Sequence, residues 1–87
     1  MRTHELKVLP KYFERILEGE KTFEIRKNDR DFQTGDKIIL YEYDGTDYTG
    51  SYVRGYITYI FHGGEYGLEV GYCIFSFRKS EVNVVRS

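Results

Sequence analysis

The chain has 87 residues and a formal net charge of −1, so it corresponds to one small domain, over residues 1–87, and not to a strongly basic, histone-like nucleic-acid binder. Its single cysteine excludes an intramolecular disulfide, and no His or Cys cluster has zinc-ligand spacing. The sequence shows no signal-peptide pattern and no apolar run long enough for a bilayer, so we expect a cytoplasmic protein without membrane contact. We also expect a monomer or weak dimer that holds no metal and no cofactor.

The N-terminal segment predicts one short strand and one helix. Residues 6–9 alternate weakly between apolar and polar side chains, and the strand that they predict stops at Pro10. Proline is tolerated in the first turn of a helix, where its missing N–H has no partner to lose. Gly19 is typical of a helix C-terminus, so a helix of about two to three turns is predicted between Pro10 and Gly19. Its apolar face consists of Tyr12, Phe13, Ile16 and Leu17.

The segment after the helix predicts a strand at residues 22–26 with two different faces. Phe23 and Ile25 lie on one face. Polar side chains take the other face: Thr22, Glu24 and Arg26. The polar residues 27–31 end this strand.

The rest of the chain is rich in β-branched and aromatic residues and predicts further strands. They are expected at residues 37–43, 52–61 and 72–77, with a candidate sixth strand at residues 82–85. One helix followed by five or six mostly antiparallel strands indicates an α+β fold, a small β-barrel that is closed or nearly closed. Closure would hide sheet edges that so many aromatic side chains make adhesive.

Charged side chains are concentrated in the first part of the chain. Residues 1–37 hold nine basic and eight acidic side chains, whereas residues 38–75 hold one basic and five acidic ones. We therefore expect an anionic ligand to contact the first segment, helped by the basic residues of the tail. Those tail residues are Arg78, Lys79 and Arg86.

Three polar side chains near the start of the second strand form the main candidate site. Alternation places Glu24 and Arg26 on one face, and Lys21 follows Gly19, where the chain is able to bend toward them. Arg26 offers a planar fork of donors for a phosphate, a carboxylate or a base edge, and Lys21 adds a point charge. Glu24 orients either cation or accepts from an amino group. The alternative is that Glu24 and Arg26 form an ordinary ion pair on an exposed strand, which contributes little.

Gly19, Lys21, Glu24 and Arg26 reproduce the G-x-K-x-x-E-x-R signature of the ASCH domain, a PUA-like β-barrel family. The chain resembles more closely still the DUF3850 group, a small bacterial and phage branch of that family. The residues that carry this resemblance are 4–7, 21–32, 35–36, 48–50 and 57–60. The resemblance implies a PUA-like pseudo-barrel whose signature residues line a cleft between helix and barrel, and a role in binding RNA or a nucleotide-like small molecule.

A catalytic branch of the same family hydrolyses N4-acetylcytidine, which makes an amidohydrolase acting on a modified nucleoside the alternative function. The chain is similar to that branch at four positions but has Glu24 where the branch carries its nucleophilic threonine. The four shared positions are Gly19, Lys21, Thr22 and Arg26. A hydroxyl beside a lysine is activated for acyl attack, whereas a glutamate acts as a base for water. An enzyme would therefore use Lys21 with Glu24 or Thr22.

Residues around the signature extend the expected ligand-binding set. Lys27 and Arg30 continue the positive charge beyond the strand, although two neighbouring aspartates partly cancel it. His4 lies in a stretch that resembles the family and is expected at the edge of the cleft. The tyrosines are expected mainly in packing, with one or two near the cleft stacking on a base. A third hypothesis is a protein-interaction domain that uses an exposed aromatic strand edge.

Overall fold

The structure is a computed structural model that describes residues 1–85. Within that range the chain forms one helix and five strands. In chain order they are β1 (Thr3–Val8), α1 (Pro10–Leu17), β2 (Phe23–Lys27), β3 (Lys37–Tyr43), β4 (Tyr48–His62) and β5 (Tyr72–Asn83). Arg86, one of the basic tail residues, lies outside the described range.

The helix α1 forms where the apolar pattern predicted it. Pro10 occupies its first turn, where no intrahelical N–H bond is lost. Phe13 and Ile16 are fully buried and pack α1 against the core. Gly19 adopts a φ of +79°, a left-handed conformation that costs glycine little, and the chain turns there toward β2.

The strands form one mixed sheet in the order β1-β3-β4-β5-β2. β1 pairs with β3 in parallel, and the other neighbours are antiparallel. The sheet curls into a half-barrel, so the α+β fold class expected from the sequence is confirmed. The core is built from apolar side chains of α1, β1, β3, β4 and β5, together with Phe32 from the loop before β3.

The last strand is longer than the sequence predicted. The prediction of a separate sixth strand at residues 82–85 is wrong, because β5 continues to Asn83 and Val82 pairs with Val53 of β4. Residues 78–81 are polar and exposed, so they carry no alternation that would show the strand continuing. Pairing with β4 keeps this part of β5 extended.

The sheet leaves a gap between its two edge strands, β1 and β2, which share no ladder within the described residues. Two arginine side chains bridge this gap, which we call the seam. Nη2 of Arg26 donates to the carbonyl oxygen of Lys7 at 2.6 Å. Nη1 of Arg30 donates to the carbonyl oxygen of Glu5 at 2.7 Å.

Candidate functional site

β2 turns Glu24 and Arg26 toward the interior and its apolar side chains toward solvent. Phe23 and Ile25 are 40% and 55% exposed, whereas Glu24 is 5% exposed. A buried carboxylate is costly unless cations and hydrogen bonds replace its lost water. The neighbours of Glu24 therefore define the site.

Glu24 is held between two cations. Its Oε2 accepts a hydrogen bond from Nζ of Lys21, and its Oε1 accepts from Nε and Nη2 of Arg26 at 3.2 and 2.8 Å. The side chains of Lys21 and Arg26 are only 18% and 26% exposed, so solvent screens these ion pairs less than it screens surface pairs. The structure brings the side chains of Lys21, Glu24 and Arg26 together. Their ion pairs are largely buried, so they differ from the ordinary ion pair on an exposed strand that was the alternative interpretation of the sequence.

Lys21 is fixed by further contacts on both sides. Its Nζ donates to the carbonyl oxygen of Phe23 at 2.7 Å. The same atom lies 5.0 Å from the ring centroid of Phe23 and 5.6 Å from that of Tyr12, within the range of cation–π attraction. The backbone N–H of Lys21 donates to the carbonyl oxygen of Arg15 at 3.1 Å, near the end of α1. The bend after Gly19 thus directs Lys21 toward Glu24.

The three signature side chains line a cleft of about 520 Å³ between β1, α1 and β2, which we call the β2 cleft. Val8, Leu9 and Tyr12 contribute an apolar wall. A concave site of this size, mostly apolar with a few convergent polar groups, is typical of small-ligand binding.

The β2 cleft has a net positive charge. Lys7, Lys21 and Arg26 line it with three cationic side chains, against the single carboxylate of Glu24. Both oxygens of Glu24 accept from cations, whereas Nη1 of Arg26 donates no hydrogen bond to any described residue. The arrangement therefore presents a spare guanidinium donor and excess positive charge to an anionic group.

The other predicted site residues do not all join this group. Arg30 bridges the seam and lines a neighbouring groove, while Lys27 is exposed at the end of β2 and lines neither. Thr22 is exposed ahead of β2 and does not line the cleft. His4 is not at the cleft edge as expected, because it lies on the inward face of β1, where its Nε2 is 2.8 Å from Oδ2 of Asp36.

Lys7 and Tyr12 are among the cleft-lining residues that were not assigned to the site from the sequence. Lys7 lies in the stretch 4–7 that resembles the family, so a signal for it existed. Tyr12 was assigned to the packing face of α1, yet it is 44% exposed and contacts Lys21 across the cleft. Nothing in a helical repeat marks which aromatic at the edge of an apolar face turns toward a ligand site.

Within residues 1–85, no group of three or more His, Cys, Asp or Glu side chains could hold a metal ion. In the same part of the chain, no helix has the length and apolar character that crossing a membrane requires.

Comparison with known proteins identifies the family. A family model described as "Domain of unknown function (DUF3850)" matches residues 3–77. The chain belongs to the DUF3850 family. The matched range includes every residue that lines the β2 cleft, and the DUF3850 resemblance predicted from the sequence is confirmed.

The chain is also similar to a phage protein. The chain is 44% identical over 57 residues to the "Uncharacterized 12.9 kDa protein in GpA 3'region" of Escherichia phage P2. The aligned part covers 66% of this chain and 52% of the phage protein. The chain thus spans about half the length of that relative.

Proposed function

We propose that this DUF3850 domain is a cytoplasmic, PUA-like module of the ASCH superfamily that binds RNA or a nucleotide-like small molecule in the β2 cleft. The observation that carries the proposal is the shielded cluster of Lys21, Glu24 and Arg26 on the cleft wall. Apolar residues of similar volume would stabilise a fold at least as well as buried ion pairs do. Cations held rigidly beside an open cleft are, by contrast, what an anion-binding site needs.

Each residue of the cluster has a distinct role in this proposal. The spare donors of Arg26 and Lys21 bind a phosphate or a base edge, and Glu24 orients both cations through its two oxygens. Lys7 adds positive charge from the opposite wall, and the half-exposed ring of Tyr12 offers an apolar surface to a base or a ribose.

The hydrolase alternative lacks such support. An acyl transfer needs an attacking group in the cleft, but Thr22 lies outside it and both oxygens of Glu24 face cations. N4-acetylcytidine nevertheless belongs in the ligand panel, because release of acetate from it would identify an enzyme.

Binding is tested by NMR titration of the wild type and two matched variants. The panel comprises uridine monophosphate, N4-acetylcytidine and hexauridylate. We expect amide shifts to cluster at residues that line the β2 cleft, and Lys21→Gln to raise Kd about tenfold, the loss of one charge-assisted contact. Lys37→Gln removes an exposed lysine that does not line the β2 cleft, and it should leave Kd unchanged.

Salt dependence separates phosphate binding from uncharged contacts. For single strands, the slope of log K against log salt is about −0.7 for each phosphate that is neutralised. Lys21→Gln should therefore make the slope shallower by about 0.7, whereas Lys37→Gln should not. Absence of clustered shifts at millimolar nucleotide and high-micromolar hexauridylate would overturn the proposal.

A further inference from the structure

A cluster of tyrosines lies on the outer face of the sheet, next to the β2 cleft. We call it the tyrosine platform, and its members are Tyr41, Tyr43, Tyr48 and Tyr52. The ring centroids of Tyr43 and Tyr48 are 5.2 Å apart, and those of Tyr41 and Tyr48 are 5.9 Å apart, all in edge contact. Because side chains alternate along β3 and β4, Leu40 and Val53 point from the same strands into the core. The platform is therefore not core packing.

Polar contacts hold the platform in place. The hydroxyl of Tyr41 donates to Oε1 of Glu5 at 2.8 Å, and this bond, together with burial, raises the pKa of Tyr41. Nζ of Lys7 lies 4.6 Å from the ring centroid of Tyr43 and 5.8 Å from that of Tyr48. Rings that are ordered in advance lose little conformational entropy when a ligand binds.

The platform is continuous with the β2 cleft. A groove of about 810 Å³ is lined by three of its tyrosines and by Arg30. Lys7 and Arg26 line both this groove and the β2 cleft, so they stand between the rings and the signature residues. Glu5 also lines the groove, but its carboxylate accepts from Tyr41. Aromatic rings beside cations match the alternation of bases and phosphates in a single strand.

We propose that the tyrosine platform is a second subsite, where one base of a single-stranded oligonucleotide stacks while the neighbouring nucleotide occupies the β2 cleft. The inference rests on the proposed function and deepens it, since it selects an oligonucleotide over a free nucleotide. Tyr48, which is 56% exposed, supplies the stacking face. Lys7 and Arg26 bind the phosphate between the two nucleotides.

The test compares uridine monophosphate, which fits one subsite, with hexauridylate, which spans both. We expect Tyr48→Ala to weaken hexauridylate binding by about 5- to 150-fold, the range for losing one base stack, and to leave uridine monophosphate unaffected. Tyr48→Phe keeps the ring and should bind as the wild type does. Tyr59→Ala removes an exposed tyrosine of β4 outside the groove and should change neither affinity.

The outcomes distinguish the two proposals. Suppose that Tyr48→Ala binds hexauridylate as tightly as the wild type does, while Lys21→Gln weakens the binding of both ligands. The tyrosine platform is then not a second subsite, and the proposed function stands. If the wild type binds neither ligand, both proposals fall. Tyr48→Leu, which keeps an apolar side chain at the start of β4 but has no aromatic face, replaces Tyr48→Ala should that variant not fold, with the same expected result.

Discussion

Two buried carboxylates, Glu24 and Asp36, are stabilised in different ways. Glu24 borders an open cleft and is held by cations, whereas Asp36 lies in the core beside His4. Burial by itself raises the pKa of Asp36, but the hydrogen bonds from His4 and from the backbone N–H groups of Gln33 and Arg2 outweigh it and lower the pKa below its usual range. Asp36 therefore ties β1 to the turn that precedes β3.

Asp36→Asn is expected to lower the free energy of unfolding by about 1.5–3 kcal/mol at neutral pH, the range for hydrogen bonds to a charged group. The pKa of Asp36 is lower in the folded state than in the unfolded chain, where an aspartate has its ordinary pKa of about 3.9. Its contribution is therefore complete above that pH and is lost as the pH falls through the folded-state pKa. Urea denaturation at neutral and at stepwise lower pH should show the difference from wild type shrinking in acid.

The control for this prediction is Asp29→Asn, because Asp29 is an exposed acid of the same loop. Its replacement should change stability by no more than about 0.5 kcal/mol at any pH. A difference between wild type and Asp36→Asn that stays constant from neutral to acid pH would contradict the role of the ionised carboxylate.

At the scale of elements, α1 depends on a side chain from β5. The helix has 8 residues, fewer than an isolated helix needs in order to persist in water. Nζ of Lys79 donates to the carbonyl oxygens of Ile16 and Leu17 at 2.9 and 3.1 Å. The carbonyl oxygen of Ile16 also accepts from the backbone N–H of Gly19 at 3.1 Å, and a cation at a helix C-terminus interacts favourably with the helix dipole.

Lys79→Met is expected to loosen the last turn of α1 and to lower stability by about 0.5–1.5 kcal/mol, because the carbonyl of Leu17 loses its donor and that of Ile16 keeps only the backbone N–H of Gly19, while the apolar stem is kept. Amide hydrogen exchange should speed up at the C-terminal end of α1, the end that positions Lys21. The matched control is Arg78→Met, which removes an exposed cation from the adjacent position of β5. Equal amide exchange rates in α1 for the two variants would contradict the role of Lys79 in stabilising the C-terminal end of the helix.

Elements were predictable where the apolar pattern of the sequence has a clear period or clear limits. α1 starts at Pro10 because its apolar side chains follow the helical period, and β3 forms at the residues predicted because a short apolar run is bounded there by turn residues. β4 begins at Tyr48 and not at residue 52, and β5 extends to Asn83. These strand ends are set by pairing with a neighbour, and their residues carry no apolar alternation that marks a strand.

The membership of the candidate site was more predictable than its geometry. The signature indicated Lys21, Glu24 and Arg26, but alternation alone does not say which face of β2 is buried. Hydrophobicity would favour burying Phe23 and Ile25, and the fold does the reverse. Ion pairing within the site and the seam contact to β1 decide this orientation, and neither appears in a local pattern.

At the scale of the whole molecule, side chains complete the half-barrel at the seam. β1 and β2 are edge strands, and an exposed edge is a template for pairing with another chain. The guanidinium groups of Arg26 and Arg30 donate hydrogen bonds to the carbonyl oxygens of Lys7 and Glu5, respectively. These two carbonyls lie two residues apart on the free edge of β1. Arg26 also borders the β2 cleft, so closure of the seam and the shape of the cleft depend on the same side chain.

Arg30→Ala tests this closure without removing a residue that lines the β2 cleft. We expect the seam to open, which should speed amide exchange in β1 and lower stability by only about 0.5–1.5 kcal/mol, because water replaces the lost donor at an exposed carbonyl. The freed edge of β1 should also promote self-association, seen as concentration-dependent sedimentation. Lys27→Ala, which removes an exposed cation that donates no hydrogen bond to β1, should behave as the wild type does. The prediction is wrong if Arg30→Ala sediments like Lys27→Ala at every concentration and the amides of β1 exchange at the wild-type rate. In that case Arg30 does not prevent pairing at the edge of β1, and Arg26 closes the seam alone.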